Sequence, residues 1–337
     1  MIADISTLVA SLEDNSNILS NSWVDMSYRR PSFAPSPTTA MFLLLAAVWG
    51  TSFVAIEIGL HAVPALSFAA LRYTVAGAII LAYAAVATDR WRPRGRREWF
   101  AATVAGVFVI AVYHGALYLG ELRVSGAVAA IVVSLSPILT VAFASSLLDD
   151  AGVDRVEGTG LLLGFAGVAA VAAPGGGGTD LLGVVLVFAG AVAFALGAVL
   201  ARPLSTGLPI ETLEAWAMLL GSAVLWVGAG ARGESLSGVE WTAPAVASLV
   251  YLTLISGCVG FLMYFELLDR IGATELNLVG YLEPVVAAFA AWVLLGQVVD
   301  AQALVGFAAI FLGFALLKRD ALSSVALDTA DAVRSHH

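Results

Sequence analysis

Almost nothing charged interrupts this chain between residues 40 and 317. Uncharged runs cover 40–56, 58–71, 73–88, 99–120, 124–148, 158–179, 181–201, 215–231, 241–265, 284–299 and 301–317. A helix needs about 20 apolar residues to cross roughly 30 Å of hydrocarbon. Joining the runs through Glu57 and Glu283 gives ten segments of that order: 40–60, 65–87, 99–119, 125–147, 157–173, 180–200, 213–231, 244–266, 273–295 and 301–318. The segments do not alternate polar and apolar every second residue, as barrel strands do. Helices are therefore expected, since an open strand leaves its backbone unsatisfied in lipid. A water-soluble domain has about a quarter of its residues charged; here the fraction is 12%, with 60% hydrophobic residues and a mean hydropathy of +0.93.

The ten segments fall five and five about a glycine run at 175–178, and the second five read as a worn copy of the first. Arg123 and Pro137 recur as Arg270 and Pro284, 147 positions on; Gly160 and Gly167 recur as Gly306 and Gly313, 146 positions on. An odd number of spans per copy makes the copies enter the bilayer in opposite directions. The expected fold is an all-α integral membrane protein of ten transmembrane helices in two inverted five-helix repeats. Such repeats are typical of secondary transporters, whose halves rock about a site near the midplane. The expected divisions are a mostly disordered tail over 1–38, repeats over 39–174 and 180–318, and a second tail over 319–337. Met26 or Met41 is an alternative start.

Five arginines between 90 and 97 lie between the second and third segments. Positive loops stay in the cytoplasm, which places both termini there in a multi-pass protein of the cell membrane. Thirteen of the 16 Lys and Arg then lie inside, Arg123 and Arg232 outside, and Arg72 within a span. A net charge of −9 argues against nucleic acid as a partner. The lone Cys258 supports no disulfide framework.

A charge at a helix centre costs about 2.5–3.5 kcal/mol on insertion scales, so the few polar groups inside spans are the natural site candidates. Glu283 stands mid-span directly before Pro284, which removes a backbone donor and is expected to kink or unwind the helix. A carboxylate beside freed carbonyls suits a cation, an amine or a proton; the plainer reading is hydrogen-bonded glue between helices. Pro137 is its counterpart in the first copy, with Ser136 in place of the acid. The two midplane helix breaks point to a site between the copies. Glu57 and Arg72, on neighbouring helices, are expected to form an ion pair, structural or gating, with a substrate carboxylate on Arg72 as the other reading. His114 titrates near neutral pH when free, although a lone membrane histidine is more often a packing residue. Trp49 and Tyr281 are aromatic wall or core filler. Trp91, Trp99 and Trp241 read as interfacial anchors.

Neither P-loop nor GxSxG, HExxH or CxxC occurs in the chain, so no cofactor, metal or catalysis is expected. Residues 47–56 (AVWGTSFVAI), 70–73 (ALRY), 127–138 (AVAAIVVSLSPI) and 282–296 (LEPVVAAFAAWVLLG) resemble the EamA-type branch of the drug/metabolite transporter superfamily. The resemblance covers roughly residues 40–318. It implies two inverted five-helix repeats and gradient-driven efflux of small organic solutes, often amino acids. The motif positions fall on Trp49, Gly50, Arg72, Pro137, Glu283 and Pro284. One departure concerns the acid that often follows the leucine–glycine closing the fourth helix of each repeat: here Asp149 or Asp150, and in the second copy Gln297. The reading is thus a carrier exporting a small-molecule substrate, in contact with membrane lipid, coupled to protons or sodium, as a monomer or homodimer. A lipid or lipid-linked sugar flippase and an intramembrane enzyme are the alternatives.

Overall fold

A computed structural model of the chain describes residues 36–148, 154–173, 180–201, 204, 207–317 and 319, apart from the side chains of 273 and 274. The chain divides into compact units at residues 1–40 and 41–337. Of the first unit only 36–40 is described; there the Ser36 hydroxyl accepts from the Thr39 backbone N–H (3.1 Å) and opens the first helix. Of the expected tails only 36–38 and 319 are described, with Pro37 and Thr38 already helical; the glycine run at 175–178 and the acids at 149 and 150 lie outside the described residues.

All regular structure among the described residues is helical. The helices are α1 (Pro37–Leu60), α2 (Ala65–Ala87), α3 (Gly95–Glu121), α4 (Gly126–Leu147), α5 (Arg155–Ala172), α6 (Leu181–Ala201), α7 (Ile210–Ala231), α8 (Ala243–Gly272), α9 (Val279–Leu295) and α10 (Ala301–Leu317). The first eight are long and apolar enough to cross a membrane; α9 and α10, at 17 residues each, are shorter apolar helices.

Two helices change pitch at matching places. α3 is π-helical over Gly106–Val112 and α8 over Tyr251–Val259, so the wide turns recur at about the spacing of the sequence repeats. A π-segment displaces its carbonyls from the ordinary ladder and leaves acceptors for other partners. Those of Leu252 and Ser256 are used below.

α5 and α10 bring backbone against backbone at four glycines. A Cβ on Gly160 would stand 2.5 Å from the Gly313 carbonyl oxygen, and one on Gly167 2.6 Å from that of Gly306; the reverse contacts are 2.5 and 2.6 Å. The early glycine of each helix thus meets the late glycine of the other, so the two run antiparallel. Their ends agree: Gln302 at the start of α10 donates to Ala170 O and Ala173 O at the end of α5. Arg319, beyond α10, pairs at 2.6 Å with Asp154, which caps α5. Small residues let backbones approach in lipid, where packing replaces hydrophobic drive.

α4 is interrupted at Ser134 and Leu135, and a new helix starts at Ser136 with Pro137 in its first turn, where a proline's missing N–H costs nothing. The expected break at Pro284 lies elsewhere. α9 runs unbroken through Pro284 to Leu295, and the chain turns earlier, at Asn277 and Leu278. Pro284 is the sixth residue of α9; it removes its own N–H bond to the carbonyl one turn back, and the helix continues through it. Gly272, at φ 78°, bends the chain at the end of α8 instead.

Candidate functional site

Arg72 is the most deeply buried cation described, 4% exposed on α2. Its guanidinium donates from Nε to Leu252 O (3.1 Å), from one terminal nitrogen to the Tyr118 hydroxyl (3.0 Å) and from the other to Ser256 Oγ (3.2 Å). The guanidinium also lies 4.7 Å from the Tyr73 ring centre. Two of its three partners belong to the π-segment of α8. The widened turn supplies Leu252 O as an acceptor, and Arg72 thereby joins α2 to α8. Three of five N–H donors are engaged; each terminal nitrogen keeps one more.

α1 closes onto the same segment. Ser52 Oγ donates to Ser256 Oγ (2.7 Å), and Thr51 Oγ shares a 2.6 Å hydrogen bond with the Tyr251 hydroxyl. Trp49 Nε1 donates to Ser256 O (3.3 Å). Its ring packs edge-on to Phe261 and tilted to Tyr264, at 5.5 and 5.4 Å between centres. A Cβ on Gly260 would stand 2.7 Å from that indole nitrogen, so glycine is what admits the ring. Trp49 is therefore a wall between α1 and α8 rather than an interfacial anchor.

Glu283 lies across from this cluster. A Cβ on Gly50 would come within 2.8 Å of its carbonyl oxygen, so α1 and α9 are in backbone contact beside Trp49. The Glu283 side chain is half-buried, makes no hydrogen bond or ion pair with any described residue, and lies within electrostatic reach of Tyr113 on α3. Tyr113 is likewise within reach of Arg72. Glu283 and Arg72 thus share Tyr113 as a neighbour within electrostatic range and do not pair with each other.

The other expected residues are placed differently. His114 is buried, with Nδ1 3.0 Å from Val109 O and Nε2 against the Tyr73 hydroxyl. A carbonyl only accepts, so Nδ1 carries the proton and Nε2 accepts from Tyr73. Both ring nitrogens are used, and the residue fastens the end of the α3 π-segment to α2. Ser136 Oγ donates to Val133 O (2.7 Å) across the α4 break. Tyr281 packs its ring 4.1 Å from that of Phe314 and leaves its hydroxyl without a described partner.

The expected Glu57–Arg72 pair is not formed. Glu57 accepts from the Gly126 N–H at the start of α4 (2.8 Å) and from Gln297 Nε2 (2.5 Å). An unsatisfied helix N-terminus and a side-chain amide hold this carboxylate near the end of α1, while Arg72 turns toward α8. Gln297, where the resemblance leads one to expect an acid, is thus a donor to an acid.

Sequence reasoning missed Tyr73, Ser52, Ser256, Glu121 and Glu214. The serines carry no signal until α1 and α8 are known to touch. Glu121 and Glu214 sit at the edges of uncharged runs, where an acid does not stand out as one inside a run does. Yet both oxygens of Glu121 and Oε1 of Glu214 are buried without a described partner. Trp91 and Trp99, expected as interfacial anchors, cluster with Trp216. Trp99 stacks edge-on with Trp216 at 4.8 Å, and Trp216 Nε1 donates to Trp91 O.

Comparison with known proteins bears on what this interior does. A model of the EamA-like transporter family matches residues 37–173 and again 181–319. The chain is 27% identical over 274 residues to the uncharacterized transporter YvbV of Bacillus subtilis, covering 81% of this chain and 88% of that one. It is 26% identical over 283 residues to the uncharacterized inner membrane transporter YedA of Escherichia coli K12, covering 80% and 90%. A probable terminal-alkyne amino-acid exporter of Streptantibioticus cattleyicolor is 30% identical over 287 residues, covering 83% and 93%. A crystal structure 21% identical in sequence superposes with a TM-score of 0.59 over 84% of this chain and 96% of its own, a likeness of fold.

Proposed function

The chain belongs to the EamA-like transporter family, and from that premise we propose that it is a gradient-driven secondary transporter that exports a small organic metabolite by alternating access. All ten helices cross the membrane in this reading, as two inverted five-helix repeats over 39–174 and 180–318. Both termini face the cytoplasm, on the side of the arginine-rich loop before α3. An amino acid or a similar solute is the substrate class, in keeping with the relative named as a probable terminal-alkyne amino-acid exporter.

The observation that carries the reading is the glycine seam. Gly160 and Gly167 match Gly306 and Gly313 in sequence, and in space they meet crosswise, 160 with 313 and 167 with 306. Equivalent helices related by a two-fold axis in the membrane plane make that pattern. The matching π-segments in α3 and α8 support the same relation.

Arg72 and Glu283 then take different roles. Arg72 holds α2 of the first repeat to α8 of the second through groups that are all neutral, so no buried ion pair has to be broken when the halves rock. Its two unused donors suit a substrate carboxylate. Glu283, with no partner among the described residues, is the coupling carboxylate for a proton or a sodium ion.

Cells with and without the gene, screened against toxic amino-acid analogues and other metabolites, supply the test. Expression should raise resistance to a defined set of compounds, and dissipating the ion gradient should abolish that resistance. Gradient-independent resistance, or none across the whole set, contradicts the proposal.

A further inference from the structure

At the end of the bundle where α1 and α3 finish, a cavity of about 310 Å³ is lined by Glu57, His61, Glu121 and Gln297, with Leu60 and Leu122 among its apolar walls. That volume is at the lower end for small-molecule pockets and far exceeds a bare ion. Residues from both matched regions of the chain contribute to it, since Gln297 comes from the loop after α9.

The polar groups there are out of balance. Glu121 is 5% exposed, and neither carboxylate oxygen receives a hydrogen bond from any described group; Gln297 Oε1 is also buried without a donor. Glu57 is satisfied by Gly126 N–H and Gln297 Nε2. Arg123, also in the lining, is taken by Asp180 at 2.9 Å. Arg72 acts on Glu121 only from a distance, donating to other groups. Three buried acceptor atoms, on two residues that line this cavity, are therefore without described donors, and a buried acceptor left unsatisfied forfeits its hydration with nothing in return.

We propose that this cavity is an ammonium subsite, in which Glu121 and Gln297 accept from the protonated amine of a small solute while Leu60 and Leu122 take its alkyl part. A primary ammonium brings three N–H donors and one positive charge, matching three free acceptor atoms, two of them the Glu121 carboxylate, with the Glu57 carboxylate as a neighbour. Glu57, pinned by Gly126 and Gln297, adds charge without giving up its own bonds. The subsite rests on the carrier reading, in which it lies at the outer mouth and gives the exported solute a basic amine.

The full-length protein in detergent, titrated with n-butylammonium chloride at constant ionic strength and followed by thermal unfolding, tests this. A ligand that binds only the folded state raises its melting temperature saturably. Butylammonium should do so, whereas sodium chloride, sodium butyrate and 1-butanol at matched concentrations should not. Glu121→Gln should weaken the response about tenfold or more, as expected for losing one charge-assisted hydrogen bond. A response equal to that of sodium chloride or butyrate, or one unchanged in Glu121→Gln, overturns the proposal. Should that variant not fold, the wild-type selectivity series decides alone. Because binding is measured without a gradient, intact binding with no transport contradicts the carrier reading, and the reverse contradicts the subsite.

Discussion

Arg72 is a buried guanidinium whose described partners are a carbonyl, a phenol and a serine hydroxyl. Arg72→Lys keeps the charge but replaces a planar fork by a point donor, which cannot serve three diverging acceptors. The variant should lose about 1.5–3 kcal/mol, the worth of a hydrogen bond to a charged group, in a chemical unfolding titration. It should also lose transport more severely than stability. Full transport by that variant contradicts the clamp between α2 and α8. Glu283→Gln is close to isosteric and breaks no described contact, so the melting temperature should hold. Transport by this variant should become insensitive to the coupling gradient; a gradient response like that of the wild type removes Glu283 from the coupling role. Both residues were legible in the sequence because a charge inside an apolar run stands out. What each one touches was not, since Leu252 and Ser256 lie some 180 positions from Arg72 and are unremarkable by themselves.

Among the elements, α5 and α10 make the sharpest case. Their contact leaves no room for a Cβ at Gly160 or Gly313, where the obstructing atom is backbone and cannot turn aside. Gly160→Leu should cost at least the roughly 1–3 kcal/mol typical of overpacking, read as a lower melting temperature, whereas Gly158→Leu, with open space around it, should cost little. The same pair carries a pH term outside the membrane. Arg319 donates to the Asp154 carboxylate, with help from the Glu157 and Val156 N–H groups, and holds its pKa down at about 2. A depressed carboxyl stabilises the fold above its unfolded value, roughly 3.9, and that contribution is lost as pH falls through about 2. Arg319→Ala should therefore flatten the stability change between pH 4 and pH 2; an unaltered profile rules out the pair as its source. Spacing located the four glycines, while their crosswise contact needed the fold. Helix ends were mostly legible from where apolar runs stop. The turn at Asn277 and Leu278 was not, because Pro284 is the louder signal and the helix nevertheless runs through it.

For the molecule as a whole, the spacing of arginines, prolines and glycines along the chain is what suggests two copies in the sequence. The family model matches the chain twice, over 37–173 and 181–319. The interior was less legible, because Arg72 is met by one backbone carbonyl freed by a π-turn and by two hydroxyls on distant helices, and the residue pattern marks neither. The account turns on the two halves being threaded through the membrane in opposite directions. Arg123 and Arg270 are equivalent in sequence and both lie at helix ends, so inversion puts them on opposite faces. The direct measurement places a single cysteine at 123 or 270, with Cys258 replaced by serine, and labels intact cells with a membrane-impermeant maleimide. Arg123→Cys should label in intact cells and Arg270→Cys only after permeabilisation; labelling of both from the same side contradicts the inverted arrangement and the transport mechanism built on it.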